Sequence, residues 1–202
     1  ITLKYNIMTE KELNQQESLQ LIDQMIKRAK KNASDSSFHF LVWGILVIIA
    51  SVAQFLMLIN GIGYESNWIW AGIVLIGFPI TFIYEWKRGK RNKIITYNDR
   101  LNPILWLAFG ISLVVTIFLS VSKQVNPVPF ILILVGLATF ITGVMIRFKP
   151  LIIGGVVFWI FSVFSAFITG YEILLLNAVA IFLGYIIPGI LLNRKTNKES
   201  DV

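Results

Sequence analysis

The chain has 202 residues, of which 56% are hydrophobic and only 14% charged, and its 18 Lys and Arg against 11 Asp and Glu leave a net charge of +7. A soluble domain of this length could not hide that much apolar surface, and the lack of cysteine excludes disulfides, thiolate nucleophiles and thiolate metal sites. A single histidine removes most zinc constellations.

The first recognisable element begins after Met8. Thr9-Glu10-Lys11-Glu12 is a capping box, in which the Thr9 hydroxyl accepts from the Glu12 N–H and the Glu12 side chain reaches back; Met8 and Leu13 sit where a hydrophobic staple would close. A helix is predicted from about Glu10 to Asn32. Leu19, Leu21, Ile22, Met25, Ile26 and Ala29 share one face at helical spacing, with Lys27, Arg28, Lys30 and Lys31 on or beside the other. Such a helix lies in the headgroup layer, docks on its own bundle or meets a partner protein. The pattern leaves these three open.

Ser34-Asp35-Ser36-Ser37 breaks this helix, and six apolar runs of membrane-crossing length follow. They are expected over about 38–59, 68–84, 103–121, 127–146, 151–168 and 173–192. The first apolar run is too long and too far into the chain for a cleavable signal peptide. Gly61 and Gly63 end the first run. Trp68, Trp70, Tyr84 and Trp86 mark the two interfaces of the second, and Pro79 lies inside it. Asn102-Pro103 and Asn126-Pro127 read as helix starts, each a cap residue followed by proline. The turn Arg147–Pro150 is so short that the fourth and fifth runs must be antiparallel neighbours. Gly170 stops the fifth, and Pro188 lies in the sixth. The fold class is therefore all-α: a polytopic bundle of three hairpins over 34–193, preceded by an amphipathic helix region over 1–33 and followed by a polar tail over 194–202.

Charge fixes the orientation. Lys87, Arg88, Lys90, Arg91 and Lys93 crowd one short loop, and Lys and Arg are retained on the cytoplasmic side. With six crossings, every Lys and Arg except Lys123 falls on that side, which places both termini in the cytoplasm and the chain in an inner (cytoplasmic) membrane. A basic balance can also mark a nucleic-acid binder, but topology already accounts for the charge and no nucleic-acid motif accompanies it. The loop also touches anionic headgroups without being a specific lipid site.

The returning runs hint at an internal repeat. Gly77, Gly136 and Gly184 each precede the next basic residue, Lys87, Arg147 and Arg194, by a similar interval. No ionisable residue occupies the centre of a run, where a proton or ion relay would need one. Glu85 is expected to pair with Lys87 or Arg88, Glu172 to lie near the outer surface, and His39 to be an interface residue. Gln54 and Asn177 are candidates for hydrogen bonds across helices. Trp43, Trp106 and Trp159 either line a ligand pocket or serve as bulk and anchors. No catalytic set, cofactor site or metal cluster is legible, so the expectation is a non-enzymatic protein without cofactor.

Glu17-Ser18-Leu19, Leu21-Ile22, Met25-Ile26, Ala29-Lys30 and Phe38-His39-Phe40-Leu41-Val42-Trp43-Gly44 together resemble the opening of a group of small uncharacterised bacterial membrane proteins. In that group an amphipathic N-terminal helix precedes about six spans. The resemblance is clearest over the first fifty residues and only general beyond them. It implies a regulatory or stress-linked context, because such proteins are often encoded beside a winged-helix regulator, and it carries over no functional residues.

Two functions are expected from different classes. One is an accessory or regulatory subunit that acts through lipid and protein contacts on the cytoplasmic side, or through further copies of itself. Its contact residues would be Leu19, Ile22, Met25, Ile26, Lys87, Arg88, Lys90 and Arg91. The other is a small-molecule binding or transport protein, similar in span number and size to the substrate-binding components of modular vitamin importers.

Overall fold

The computed structural model describes residues 37–89 and 97–198, with Gln20 as a further helical residue. The amphipathic helix expected over 10–32, with Leu19, Ile22, Met25 and Ile26, lies outside the described residues, as do the loop residues Lys90 and Arg91. Lys87 is exposed near the end of the second helix.

The described residues are helical, with no strand among them. The elements are α1 (Ser37–Ile59), a 3₁₀ turn (Tyr64–Asn67), α2 (Trp68–Gly89), α3 (Tyr97–Lys123), α4 (Val128–Met145), α5 (Lys149–Ser165) and α6 (Glu172–Ile181); a π-helical turn (Phe182–Ile186) then joins α6 to α7 (Ile187–Lys198). Among the described residues five stretches are long and apolar enough to cross a membrane: Ser37–Ile59, Tyr64–Lys87, Leu101–Lys123, Val128–Met145 and Glu172–Lys195. Large apolar side chains cover their outer faces, with Leu75 75% and Phe118 68% exposed. Such a surface suits hydrocarbon, not water.

The remaining helix, α5, has 17 residues and falls below that length. Its end tightens: Ala166 N–H bonds Val163 O and Phe167 N–H bonds Phe164 O, three residues back, and the Ser165 hydroxyl donates to Ser162 O at 2.6 Å. The apolar residues Ala166 to Ile168, expected to continue the helix, therefore leave it. Even so, α5 runs antiparallel along all of α4. Gly143 meets Ile152, Gly136 meets Gly155, and the Ser162 hydroxyl donates to Pro129 O at 2.8 Å near the start of α4.

Two boundaries differ from the sequence expectation. Helix α3 begins at Tyr97, so Asn102-Pro103 lies inside it instead of starting it. Proline removes one N–H and crowds one carbonyl, that of Asp99, and within the first two turns a helix absorbs this loss. The tail expected over 194–202 is helical to Lys198. The start of α4 is as the sequence suggests: Val128 N–H donates to Asn126 Oδ1 at 2.9 Å, and Pro127 precedes the first turn.

Three helices end in the same way, with a residue at positive φ and paired reverse bonds. Gly61 (φ 82°) follows α1, Gln124 (φ 53°) follows α3 and Arg147 (φ 53°) follows α4. In each case its own N–H bonds a carbonyl three back, and the next N–H bonds one five back, as in Phe148 N to Gly143 O at 2.9 Å. This is the Schellman arrangement, which satisfies orphan carbonyls and turns the chain sharply.

Helix α1 is packed on two sides. One face carries small groups toward the α6–α7 rod. The Ser37 hydroxyl donates to Gly189 O at 2.7 Å, Leu41 covers Gly189, Gly44 receives Ile186 and Tyr185, and Asn177 Nδ2 donates to Ser51 Oγ at 2.9 Å. The other face meets α2: Phe38 stacks on Tyr84 at 4.0 Å, and Trp43 and Leu46 lie on Gly77. At its far end, Gln54 donates to Asn67 Oδ1 at 2.7 Å and accepts from Trp70 Nε1 at 2.6 Å. Gln54 and Asn177 thus bond across elements, as their polarity inside apolar runs suggests.

The repeated glycines share a role. Gly77 seats Trp43, Gly136 seats Trp159 and Gly184 seats Phe158. The ring comes from the outgoing helix of the same hairpin in the first and third cases, and from α5 in the second. Gly184 also lies four residues before Pro188, which has no N–H to give the Gly184 carbonyl its usual α-helical bond. The π turn falls here, and that carbonyl lies against Gly154 of α5.

A methyl group at Gly154 would press on the Gly184 backbone, whereas one at Gly72 meets open space. Gly154→Ala is expected to lose about 1–3 kcal/mol of stability, and Gly72→Ala to be neutral or up to about 1 kcal/mol more stable. Equilibrium unfolding in mixed micelles checks both, and a Gly154→Ala protein as stable as the parent contradicts the close approach.

Candidate functional site

Three helices each turn one stripe toward a common space. Residues 39, 40 and 43 of α1, residues 78, 81, 82 and 85 of α2, and residues 102, 106 and 109 of α3 recur at intervals of three and four, the spacing that aligns side chains on one helix face. Between them is a cavity of about 520 Å³, with Thr142 of α4 and Tyr185 of the π turn as its floor. Phe40, Thr142 and Tyr185 are buried, while Phe78 and Phe82 on α2 are exposed at 62% and 66%. Helix α3 packs on α4, with Trp106 tilted against Phe40 of α1 at 6.0 Å. The cavity is thus closed below by α1, α4 and the π turn, and it opens between α2 and α3.

From Glu85 at the mouth to Phe78 is two helical turns, about 10 Å. Rings make most of the wall: Trp43 meets Phe78 edge-on at 5.7 Å, Trp106 meets Phe109 edge-on at 5.4 Å, and Tyr185 lies 5.1 Å from Phe40.

The hydroxyls of the lining are already committed. Thr81 donates to Gly77 O at 2.9 Å and Thr142 to Ala138 O at 2.7 Å. The Tyr185 hydroxyl pairs with the Thr139 side chain, whose own hydroxyl donates to Val135 O at 2.6 Å. The protons of these hydroxyls are therefore spent within the protein. The other polar side chains of the lining are Asn102, His39 and Glu85, together with the indole N–H groups of Trp43 and Trp106. His39 Nε2 lies 3.4 Å from Glu85 Oε1, and both side chains are partly exposed. Phe38 packs edge-on to His39 and flat on Tyr84, which fixes the imidazole beside α2.

Sequence reasoning placed these residues unevenly. Trp43 and Trp106 line the cavity. Trp159 does not: it stacks on Phe140 at 5.4 Å and donates to Ile133 O at 3.2 Å in the α4–α5 seam. Glu85 faces His39, a pairing the sequence did not suggest, because the two lie on different helices. Phe78, Thr81, Phe82, Phe109, Thr142 and Tyr185 were not singled out as lining residues. The only signal for them was the recurrence of rings at helical intervals in α2 and α3. Glu172 opens α6 at an exposed position, where a carboxylate suits the positive end of the helix. Among the described residues no three His, Asp or Glu side chains gather as a metal site would require.

No known protein family, curated protein or solved structure matches the chain.

Proposed function

We propose that this is a polytopic inner-membrane protein of bacterial type that binds a small, mostly apolar molecule in the cavity between α1, α2 and α3. The observation that carries this reading is the cavity itself. Its 520 Å³ lies within the roughly 300–1,000 Å³ of small-molecule sites, and its wall of rings with a few polar groups is the usual make-up of such sites. A binding role also needs no catalytic group, in keeping with a non-enzymatic protein.

The orientation rests on charge. The full-length contact of α5 with α4 favours a crossing for α5 as well, which makes six. Both termini then face the cytoplasm with Lys87, Arg147 and Lys195, and only Lys123 lies outside. The cavity mouth is at the cytoplasmic end, and its open side faces the inner leaflet.

A second reading, an accessory or regulatory subunit, draws on α3. Only 6% of its apolar window is buried, the least of any span, so a partner's helix has room to pack there. In this reading the N-terminal helix face at Leu19, Ile22, Met25 and Ile26 and the loop at Lys87, Arg88, Lys90 and Arg91 are the cytoplasmic contacts.

Because the chain lacks cysteine, single cysteines report sidedness. In intact cells a membrane-impermeant maleimide is expected to label Lys123→Cys and Tyr171→Cys, and to label Lys87→Cys, Arg147→Cys and Lys195→Cys only after lysis. Labelling of Tyr171→Cys only after lysis overturns the crossing of α5.

Binding is tested with the uncharged probe triphenylphosphine oxide. Equilibrium dialysis against protein in lipid nanodiscs is expected to give one saturable site per chain. That site is lost in Gly110→Phe, whose added ring enters open space at the cavity. Equal uptake by the parent and by Gly110→Phe overturns the cavity as a binding site.

A further inference from the structure

We infer that the cavity selects flat aromatic molecules over saturated ones of the same size. This rests on reading the cavity as a binding site and adds the class of its ligand. The first observation is the make-up of the wall. Among the described lining residues, seven of fourteen are Phe, Trp or Tyr, and none is Leu, Ile, Val or Met. In the whole chain aromatics are 13% of residues. Burying apolar surface favours any apolar wall in proportion to its area. A wall that only had to hold apolar bulk would therefore need no rings.

The second observation is how the three helices divide their side chains. Ile45 of α1, Ile80 and Ile83 of α2, and Ile104 and Leu107 of α3 are exposed and lie off the cavity stripes. On the stripes are Phe40 and Trp43, Phe78 and Phe82, and Trp106 and Phe109. Each pair is three or four residues apart, which puts both rings on one helix face. Each helix thus gives two rings to the space and turns aliphatic groups away from it.

The third observation is how the rings meet. Trp43 and Phe78 cross at 84°, Trp106 and Phe109 at 75°, and Phe40 is tilted by 60° to Trp106 and by 50° to Tyr185. An aromatic ring is negative on its face and positive at its edge, and ring pairs gain from edge-to-face or offset contact beyond the area they bury. A wall of rings set at several angles offers a flat guest partners of both kinds. A saturated ring has neither the negative face nor the positive edge, so it gains area alone. The wall is also stiff, because aromatic side chains turn about only two bonds and these brace one another. A flat guest slides between such rings, whereas a thicker, puckered one needs them to move apart.

The test compares 2-naphthol with its saturated counterpart decahydro-2-naphthol, both uncharged at pH 7. Saturable binding to the full chain in nanodiscs is measured by equilibrium dialysis, with protein-free nanodiscs correcting for uptake by lipid. The parent is expected to bind 2-naphthol at least about tenfold tighter, since each ring contact adds roughly two- to tenfold. Phe78 and Phe82 are exposed, so their exchange for leucine does not disturb the core. Phe78→Leu and Phe82→Leu should each weaken 2-naphthol by about that factor and leave the saturated probe bound as before, which also shows that the variants are folded. Phe118→Leu, which removes an exposed α3 ring outside the lining, should change neither. Equal affinity of the two probes in the parent overturns the aromatic preference while the cavity site stands. So does unchanged 2-naphthol binding in the Phe78→Leu/Phe82→Leu double variant, or an equal loss of both probes there. If the parent binds neither probe saturably, or Gly110→Phe binds both as the parent does, the cavity reading itself is overturned.

Discussion

The structure depends on how closely α1 can approach the α6–α7 rod. In a bilayer the hydrophobic effect does not drive helices together, since lipid tails are as apolar as leucine. Contact must come from close van der Waals packing and from hydrogen bonds that have no better partner. Helix α1 supplies both along one face. Gly44 admits Ile186, Ser37 reaches the Gly189 carbonyl, Leu41 covers Gly189, and Ser51 takes the Asn177 amide. These positions recur at helical intervals, so a single stripe of mostly small or polar residues holds two long rods together. With that face used, the ring-bearing face of α1 is left to α2 and to the cavity.

The floor of the cavity follows from a backbone defect elsewhere. Pro188 cannot donate to Gly184, the helix widens into a π turn over Phe182–Ile186, and the Gly184 carbonyl lies against Gly154. Gly184 has no side chain, so the Phe158 ring of α5 fills the vacant volume and is itself wholly buried. The same turn places Tyr185 in the floor, in contact with both Phe158 and Phe40. Single-turn π segments often mark functional sites because they re-aim side chains that a regular helix would direct elsewhere. Here one proline and two glycines shape the space that the rings of α1 to α3 then enclose.

Much of the helical layout was legible, and the reasons are local. Apolar runs report length, Asn126-Pro127 reports a start, Gly61 reports a stop, and Gln54 and Asn177 stand out because polar groups in apolar runs need partners. What was not legible depended on three dimensions or on atypical residues. Pro103 reads as a start, yet α3 begins six residues before it, because one missing bond near a helix end costs little. Arg147 and Gln124 hold the positive φ that usually calls for glycine, so the sharp ends of α4 and α3 carry no glycine signal. The fifth apolar run reads as a full span, but its helix tightens at Ser165. The cavity was half visible through Trp43 and Trp106. Its other walls, and the pairing of His39 with Glu85, appear only when α1 and α2 are laid side by side. The N-terminal stripe and most of the basic loop, the features most informative in the sequence, lie outside the residues the structure describes.

The central claim is that the ring-walled cavity is occupied by a discrete small molecule in the membrane. The most direct measurement is the mass of the intact protein released gently from native membranes, with identification of whatever remains bound. The account predicts one retained non-lipid molecule per chain in the parent and none in Gly110→Phe. A bare chain, or one carrying only the bulk lipids of the membrane in both proteins, would contradict it.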